Sequence, residues 1–156
     1  MAILDSGERR TFESGATRDI QSENKGRADL LPLDVVGLVL EDVILRDIND
    51  YIRCGDKMKL VSAIKEFSDA HYGGLYNAML EVSKHYSEGL KKYPARNWEL
   101  GIPLHSFIDS GVRHYLRFRK GDKDESHDRA FLWNLLGAIW THDNKPELKD
   151  LPFAAE

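Results

Sequence analysis

Hydrophobic positions recur at helical spacing along five stretches of the chain, each closed by a glycine, a proline or a polar break. Residues 33–46 carry Val35, Val36, Val39, Leu40, Val43 and Ile44 on a two-sided stripe that reads as one helix, although so many valines also tolerate a strand. A second helix is expected from Asp56 to His71, through Met58, Val61, Ala63, Ile64 and Phe67, and Gly73 and Gly74 stop it. Leu75, Ala78, Met79, Val82, Tyr86 and Leu90 make 75–92 the most regular helix, which ends before Pro94. After the loop KYPARNWELGIP, the residues Phe107, Ile108, Val112, Tyr115 and Leu116 mark a helix over 104–119 that breaks near Gly121. The last helix, 126–141, is apolar on most sides, which predicts a central position or a subunit interface.

The first thirty residues lack any such period. They hold Gly7, Gly15 and Gly26 among many charges and form a tail or an extended arm, with Leu30 and Leu31 docking it onto the core and Pro32 suited to a first helical turn. No alternating run is paired with a hairpin turn, so no strand pair is expected. The predicted architecture is all-α, a compact bundle of four to five helices: an irregular N-terminal arm over 1–30, a helical domain over 31–142 and a C-terminal tail over 143–156.

Charge narrows the range of partners. Twenty-six acids against twenty-two bases give a net charge of −4, which argues against a nucleic-acid polymer and leaves room for a local basic pocket. The lone cysteine, Cys54, makes neither an internal disulfide nor a cysteine-rich zinc site, so a reducing, cytoplasmic setting is expected. No apolar run approaches the roughly 18 residues of a membrane span, and the opening MAILDSGERR lacks a signal-peptide core. No membrane partner is expected, and the apolar excess of the last helix predicts a homo-oligomer.

Glycine-rich phosphate loops, zinc-protease helices and nucleophile elbows are absent. What remains is a density of polar side chains on three consecutive helices. Glu81, His85 and Glu88 stand at i, i+4 and i+7 on one helical face, either half of a hard-metal site or a solvated stripe paired with Lys84 and Lys92. His105, Asp109 and Arg113 follow at i+4 steps with His114 beside them: an arginine fork for phosphate next to a titratable imidazole, or a surface ion pair. His127 and Asp128 open the last helix, and Asn134, an amide inside an apolar helix, needs a hydrogen-bond partner in a buried network or a ligand. Between the helices Lys92, Tyr93, Arg96, Asn97 and Trp98 combine cations, an aromatic face and an amide, which would suit a nucleotide. They would equally suit a loop whose tryptophan plugs the core while Arg96 and Asn97 cap helix ends.

The segments GATRDIQSENKGRADLLP, LEVSKHYSEGLKKYPARNWELGIP, RHYLRFRKGD and HDRAFLWNLLGAIW resemble the phage and bacterial family described as the N-terminal domain of dATP/dGTP diphosphohydrolase, over about Gly15 to Thr141. The resemblance implies hydrolysis of purine deoxynucleoside triphosphates, and the helical pattern is similar to MazG-like pyrophosphohydrolases, which use Mg²⁺ held by acids. The matching positions are Asp29, Lys92, Tyr93, Arg96, Asn97, Trp98, Arg113, His114, His127 and Asn134. A MazG-like acidic motif, EExxE followed by ExxD, is replaced here by the sparser Glu81, Glu88 and Asp109.

On this reading Glu81, Glu88 and Asp109 hold Mg²⁺ or Mn²⁺. Lys92, Arg96 and Arg113 bind phosphates, with Tyr93, Asn97 and Asn134 completing the substrate site and Trp98 stacking on the base. His114 or His127 moves a proton, with Asp128 beside it, and the products are monophosphate and pyrophosphate. The alternative is a protein that binds a nucleotide without turnover, for example a phage protein sequestering a host nucleotide signal between protomers.

Overall fold

The computed structural model describes residues 9–19 and 23–155. Residues 1–8 and 20–22 of the expected arm, Gly7 included, and Glu156 of the expected tail lie outside the described residues. Six helices carry the fold among the described residues: α1 (Leu33–Val39), α2 (Val43–Cys54), α3 (Lys57–Tyr72), α4 (Leu75–Gly89), α5 (Leu104–Lys120) and α6 (His127–Asn144). None is long and apolar enough to cross a membrane. The architecture is the expected all-α bundle.

The first helix differs from the expectation of a single 33–46 element. Glu41 adopts a left-handed backbone with φ of 53°, and Asp42 turns its side chain back to accept from the Leu45 amide at 3.1 Å. An N-cap of this kind starts a new helix, so the chain bends between α1 and α2. The same carboxylate accepts from the Tyr115 hydroxyl at 2.6 Å and from Arg119 at 3.0 Å, which ties the bend to α5. Helix α2 then runs on to Cys54, burying Ile48, Tyr51 and Ile52. Gly55 closes it in a left-handed conformation with φ of 72°, and Asp56 caps α3 through the Met58 amide.

Helices α5 and α6 form the centre, with α3 and α4 packed on α6, α2 on α3 and α1 on α2. Phe107, Val112, Tyr115, Phe131, Leu132 and Leu135 are buried between them, and a buried side chain of this size contributes about 1.5–3 kcal/mol. The Phe67 ring from α3 meets Phe131 edge-on at 4.8 Å and Phe118 at 5.2 Å. The apolar excess of α6 is therefore used inside the chain. Exposed apolar side chains instead gather near α1, at Leu38, Val39 and Leu40.

The arm corrects the expectation that no strands pair. Its strands β1 (Arg9–Thr11) and β2 (Thr17–Asp19) form an antiparallel hairpin, with Arg9 opposite Asp19 and Arg10 opposite Arg18. Three-residue strands without an apolar alternation leave no sequence pattern to detect. Their stability comes from elsewhere in the chain.

Candidate functional site

The loop after α4 holds the arm. Asn97 presents its side-chain amide to β2 as a neighbouring strand would, accepting from the Thr17 amide at 2.9 Å and donating to the Thr17 carbonyl at 2.7 Å. It is itself buried, behind an Arg96 whose left-handed backbone has φ of 56°. Two residues along, Asp19 accepts from the Lys92 ammonium at 2.8 Å and the Tyr93 hydroxyl at 2.9 Å. Further along the arm, buried Asp109 on α5 accepts from the Ala28 amide and from Arg113, each at 2.7 Å. Arg113 also donates to the Gly26 carbonyl at 3.1 Å.

So fixed, the hairpin closes one side of a cavity of about 540 Å³ whose other walls come from α4, the following loop, α5, the α5–α6 loop and α6. That volume lies within the roughly 300–1,000 Å³ of small-molecule sites. Seven cationic side chains line it among the described residues, Arg10, Arg18, Lys25, Lys92, Arg96, Arg113 and Arg117, against three acids, Asp19, Asp124 and Glu125. A chain of negative net charge thus concentrates positive charge in one concavity, and a low-dielectric wall focuses such a field.

Arg18 is the most informative of them. Its terminal nitrogens donate to Ser110 Oγ at 2.9 Å and to Asn134 Oδ1 at 3.3 Å, and its guanidinium lies 5.5 Å from the Trp133 ring centroid and 5.6 Å from that of Phe107. All these acceptors are neutral. Burial, reinforced by the like charges of Arg10 and Arg113, lowers the group to about 10, so it stays protonated at neutral pH. Burial also lowers Arg10, whose Nε has no hydrogen-bond partner among the described residues, and Lys25. Lys92, Arg96, Arg113 and Arg117 each pair with an acid, Asp19, Glu99, Asp109 and Asp122 in turn, whereas Arg18 bonds to neutral groups alone. A buried guanidinium without an ion-pair partner is a favourable point for an anion.

The opposite wall is aromatic. Tyr86, Trp98 and Trp133 line the cavity, with Trp98 held edge-on against Trp140 at 5.1 Å. His85 sits among them with a buried Nδ1 that has no partner among the described residues, and burial lowers it to about 4. A neutral imidazole with an unpartnered ring nitrogen beside the Trp133 indole is a hydrogen-bonding point for a heterocycle.

A histidine pair stands where α5, the α5–α6 loop and α6 meet. The Nδ1 atoms of His114 and His127 face each other at 2.9 Å, and the far nitrogen of His127, Nε2, meets Asp124 Oδ1 at 2.7 Å. Burial holds His114 well below its ordinary value, with His127 and Arg113 adding to the effect. Burial raises the Glu125 carboxyl. Among the described residues two groups each bring one ligand atom per residue within 4.8 Å of the others: His114, Glu125 and His127; and Asp122, Asp124 and His127. Either set has the chemistry to hold a metal ion.

A family model described as dATP/dGTP diphosphohydrolase, N-terminal, matches residues 60–151. The chain belongs to this family. No curated protein and no solved structure matches it. The family match starts within α3, so the arm, with Arg10, Arg18 and Lys25, lies outside the matched stretch.

Within the family match, the residues singled out from sequence divide into two groups. Lys92, Tyr93, Arg96, Asn97, Trp98, Arg113, His114 and Asn134 all line the cavity, and His127 touches it through His114. Lys92, Tyr93 and Asn97 spend hydrogen bonds on the arm, and Arg96 pairs with Glu99 at 2.7 Å.

The structure does not bring Glu81, Glu88 and Asp109 together. Glu81 pairs with Lys84 at 3.0 Å and Arg129 at 3.1 Å, Glu88 pairs with Lys91 at 3.0 Å, and Asp109 anchors the arm. Lysines three residues away neutralise the two glutamates, while His85 between them turns inward. Asp128 does not line the cavity either; it accepts from the Tyr72 hydroxyl at 2.7 Å and His71 at 3.2 Å, joining α6 to the end of α3. Asp29 makes a bidentate pair with Arg27.

Sequence reasoning missed Arg10, Arg18, Lys25, Trp133, Asp124 and Glu125. The acid pair just before His127, in the run DESHD, was the available signal for the last two.

Proposed function

We propose that the cavity binds a purine (deoxy)nucleoside triphosphate and that the chain hydrolyses it to monophosphate and pyrophosphate. The family name supports the substrate class. The observation that carries the reading is Arg18, a guanidinium bonded only to neutral acceptors in a cavity whose cations outnumber its acids.

The triphosphate lies against Arg10, Arg18, Lys25 and Arg113, where charge-assisted hydrogen bonds neutralise it and favour the charge that develops on the leaving pyrophosphate. The base lies on the aromatic wall, against Trp98 and Trp133, with His85 offering one hydrogen bond to a ring edge. Water adds to phosphorus as the phosphoanhydride bond breaks. Burial keeps His85 and His114 neutral, and His114 and His127 share one proton across their facing Nδ1 atoms, so this pair can take up or release a proton at the cavity wall. A divalent cation such as Mg²⁺ or Mn²⁺ supplies charge neutralisation and an acidified water when bound. The two imidazoles and one carboxylate at His114, Glu125 and His127 would suit Mn²⁺ better than Mg²⁺.

The test is to incubate the protein with dGTP or dATP and a divalent cation and to identify the products. Monophosphate and pyrophosphate in equal amounts support the reading. Unaltered nucleotide, recovered after denaturation in stoichiometric amount, supports sequestration without turnover. Released triphosphate contradicts the proposed cleavage position.

A further inference from the structure

We infer that His114, Glu125 and His127 form a binding site for one six-coordinate divalent transition ion, of the Mn²⁺ or Fe²⁺ class, with Asp124 orienting His127 from outside the site. The assignment stands on donor chemistry and geometry, and it does not rest on the hydrolysis reading.

Two imidazoles and one carboxylate are the donor set. Imidazole nitrogens suit first-row transition ions, whereas Mg²⁺ prefers oxygen donors and keeps much of its water. The carboxylates expected from sequence to hold Mg²⁺ are neutralised by lysines or used to anchor the arm. That leaves the mixed set at the cavity wall, where His114 and Glu125 both face the pocket.

The spacing bears on coordination number. Ligand nitrogens about 2.1 Å from one ion lie about 3.0 Å apart at the right angles of an octahedron and about 3.4 Å apart at tetrahedral angles. The observed His114 Nδ1 to His127 Nδ1 separation is 2.9 Å. Without an ion the two nitrogens share a hydrogen bond at this distance, and the same spacing matches one edge of an octahedron. Tetrahedral Zn²⁺ would need them to open by about 0.5 Å, which favours a six-coordinate ion.

The outer contact agrees. A histidine that binds metal gives its other ring N–H to a carboxylate or carbonyl, which fixes its tautomer and orientation. His127 Nε2 lies 2.7 Å from Asp124 Oδ1, so the proton sits on that side and the lone pair of Nδ1 points at His114. The rival group of Asp122, Asp124 and His127 would have to use the same Nε2, and Asp122 is already paired with Arg117 at 3.2 Å and Lys120 at 3.4 Å. The local chain supports the inner set, because the His127 amide bonds the Glu125 carbonyl at 3.0 Å and so folds both residues back toward α5.

The experiment is a Mn²⁺ titration of chelator-treated protein, without nucleotide, followed by electron paramagnetic resonance, with electron spin-echo modulation to count nitrogen ligands. We expect one bound Mn²⁺ per chain with coupling to two imidazole nitrogens, little displacement by equimolar Mg²⁺, and loss of one nitrogen coupling in His114→Ala. Asp124→Asn, at an exposed position that need not disturb folding, should weaken Mn²⁺ binding about 10–100-fold. Asp122→Asn, Glu81→Gln and Glu88→Gln should leave it unchanged. The assignment is overturned by Mn²⁺ binding within twofold of wild type in both His114→Ala and Asp124→Asn, by absence of nitrogen coupling, or by loss of binding in Glu81→Gln or Glu88→Gln. Failure of turnover with intact Mn²⁺ binding would count against the hydrolysis reading alone.

Discussion

Arg18 in the arm donates both terminal nitrogens to Asn134 Oδ1 at 3.3 Å, joining residues 116 positions apart in the chain. The amide is oriented for this by its own donor, since Asn134 Nδ2 bonds the Ala130 carbonyl at 2.8 Å within α6. An acid at this position would neutralise the guanidinium. The amide holds it in place and leaves its charge for a ligand.

Arg18→Gln should therefore separate binding from stability. A hydrogen bond to a charged group is worth about 1.5–3 kcal/mol, so nucleotide affinity should fall roughly 10- to 100-fold by calorimetry. Thermal stability should hold or rise, because the substitution removes a desolvated cation that lacks a counter-charge. A large drop in melting temperature with unchanged affinity would show that Arg18 is structural.

Asn97→Ala should release the arm without unfolding the bundle. It removes both bonds to the Thr17 backbone, at about 1 kcal/mol net each. Hydrogen exchange should accelerate over residues 9–19 while α5 and α6 stay protected, and nucleotide affinity should fall with it. Uniform acceleration through α6 would contradict this division.

Acid should destabilise the protein before the carboxylates titrate. Burial depresses His85 to about 4 and depresses His114 as well, so below about pH 6.5 the unfolded chain takes up protons that the folded chain refuses. Stability is then lost as pH falls from about 6.5 toward 4, by up to about 1.4 kcal/mol per pH unit for each group fully in its window. The raised Glu125 carboxyl acts in the opposite direction near the lower end. Urea unfolding at several pH values should show the slope, and His85→Gln should flatten it; an unchanged slope in that variant would assign the effect elsewhere.

Gly137→Ala should cost about 1–3 kcal/mol through overpacking. A Cβ there would overlap the Phe107 ring, and both residues are buried. Gly111→Ala, with its nearest neighbour at 3.3 Å, should cost less. Equal melting temperatures for the two variants would contradict the packing described for α5 and α6.

Much of the bundle was legible because apolar spacing and glycine stops are local: α3 to α6 fall within a few residues of where the pattern puts them. The bend at Glu41 was not, since the cap at Asp42 competes with a continuous apolar stripe and wins through bonds to Tyr115 and Arg119 that only tertiary structure supplies. The arm was illegible for the same reason. It is held by Lys92, Tyr93, Asn97 and Asp109, partners from distant segments, so no periodicity marks it. Helical spacing put Glu81, His85 and Glu88 on one face, but it could not show that adjacent lysines hold the acids outward while the imidazole turns in.

The central claim is that one cavity, closed by the arm, holds the nucleotide. A crystal structure with a non-hydrolysable analogue of dGTP tests it most directly. The account predicts phosphates within hydrogen-bond distance of Arg18 and Arg113 and the base against Trp98 and Trp133. Nucleotide bound on another surface, with Arg18 still bonded only to Ser110 and Asn134, would contradict it.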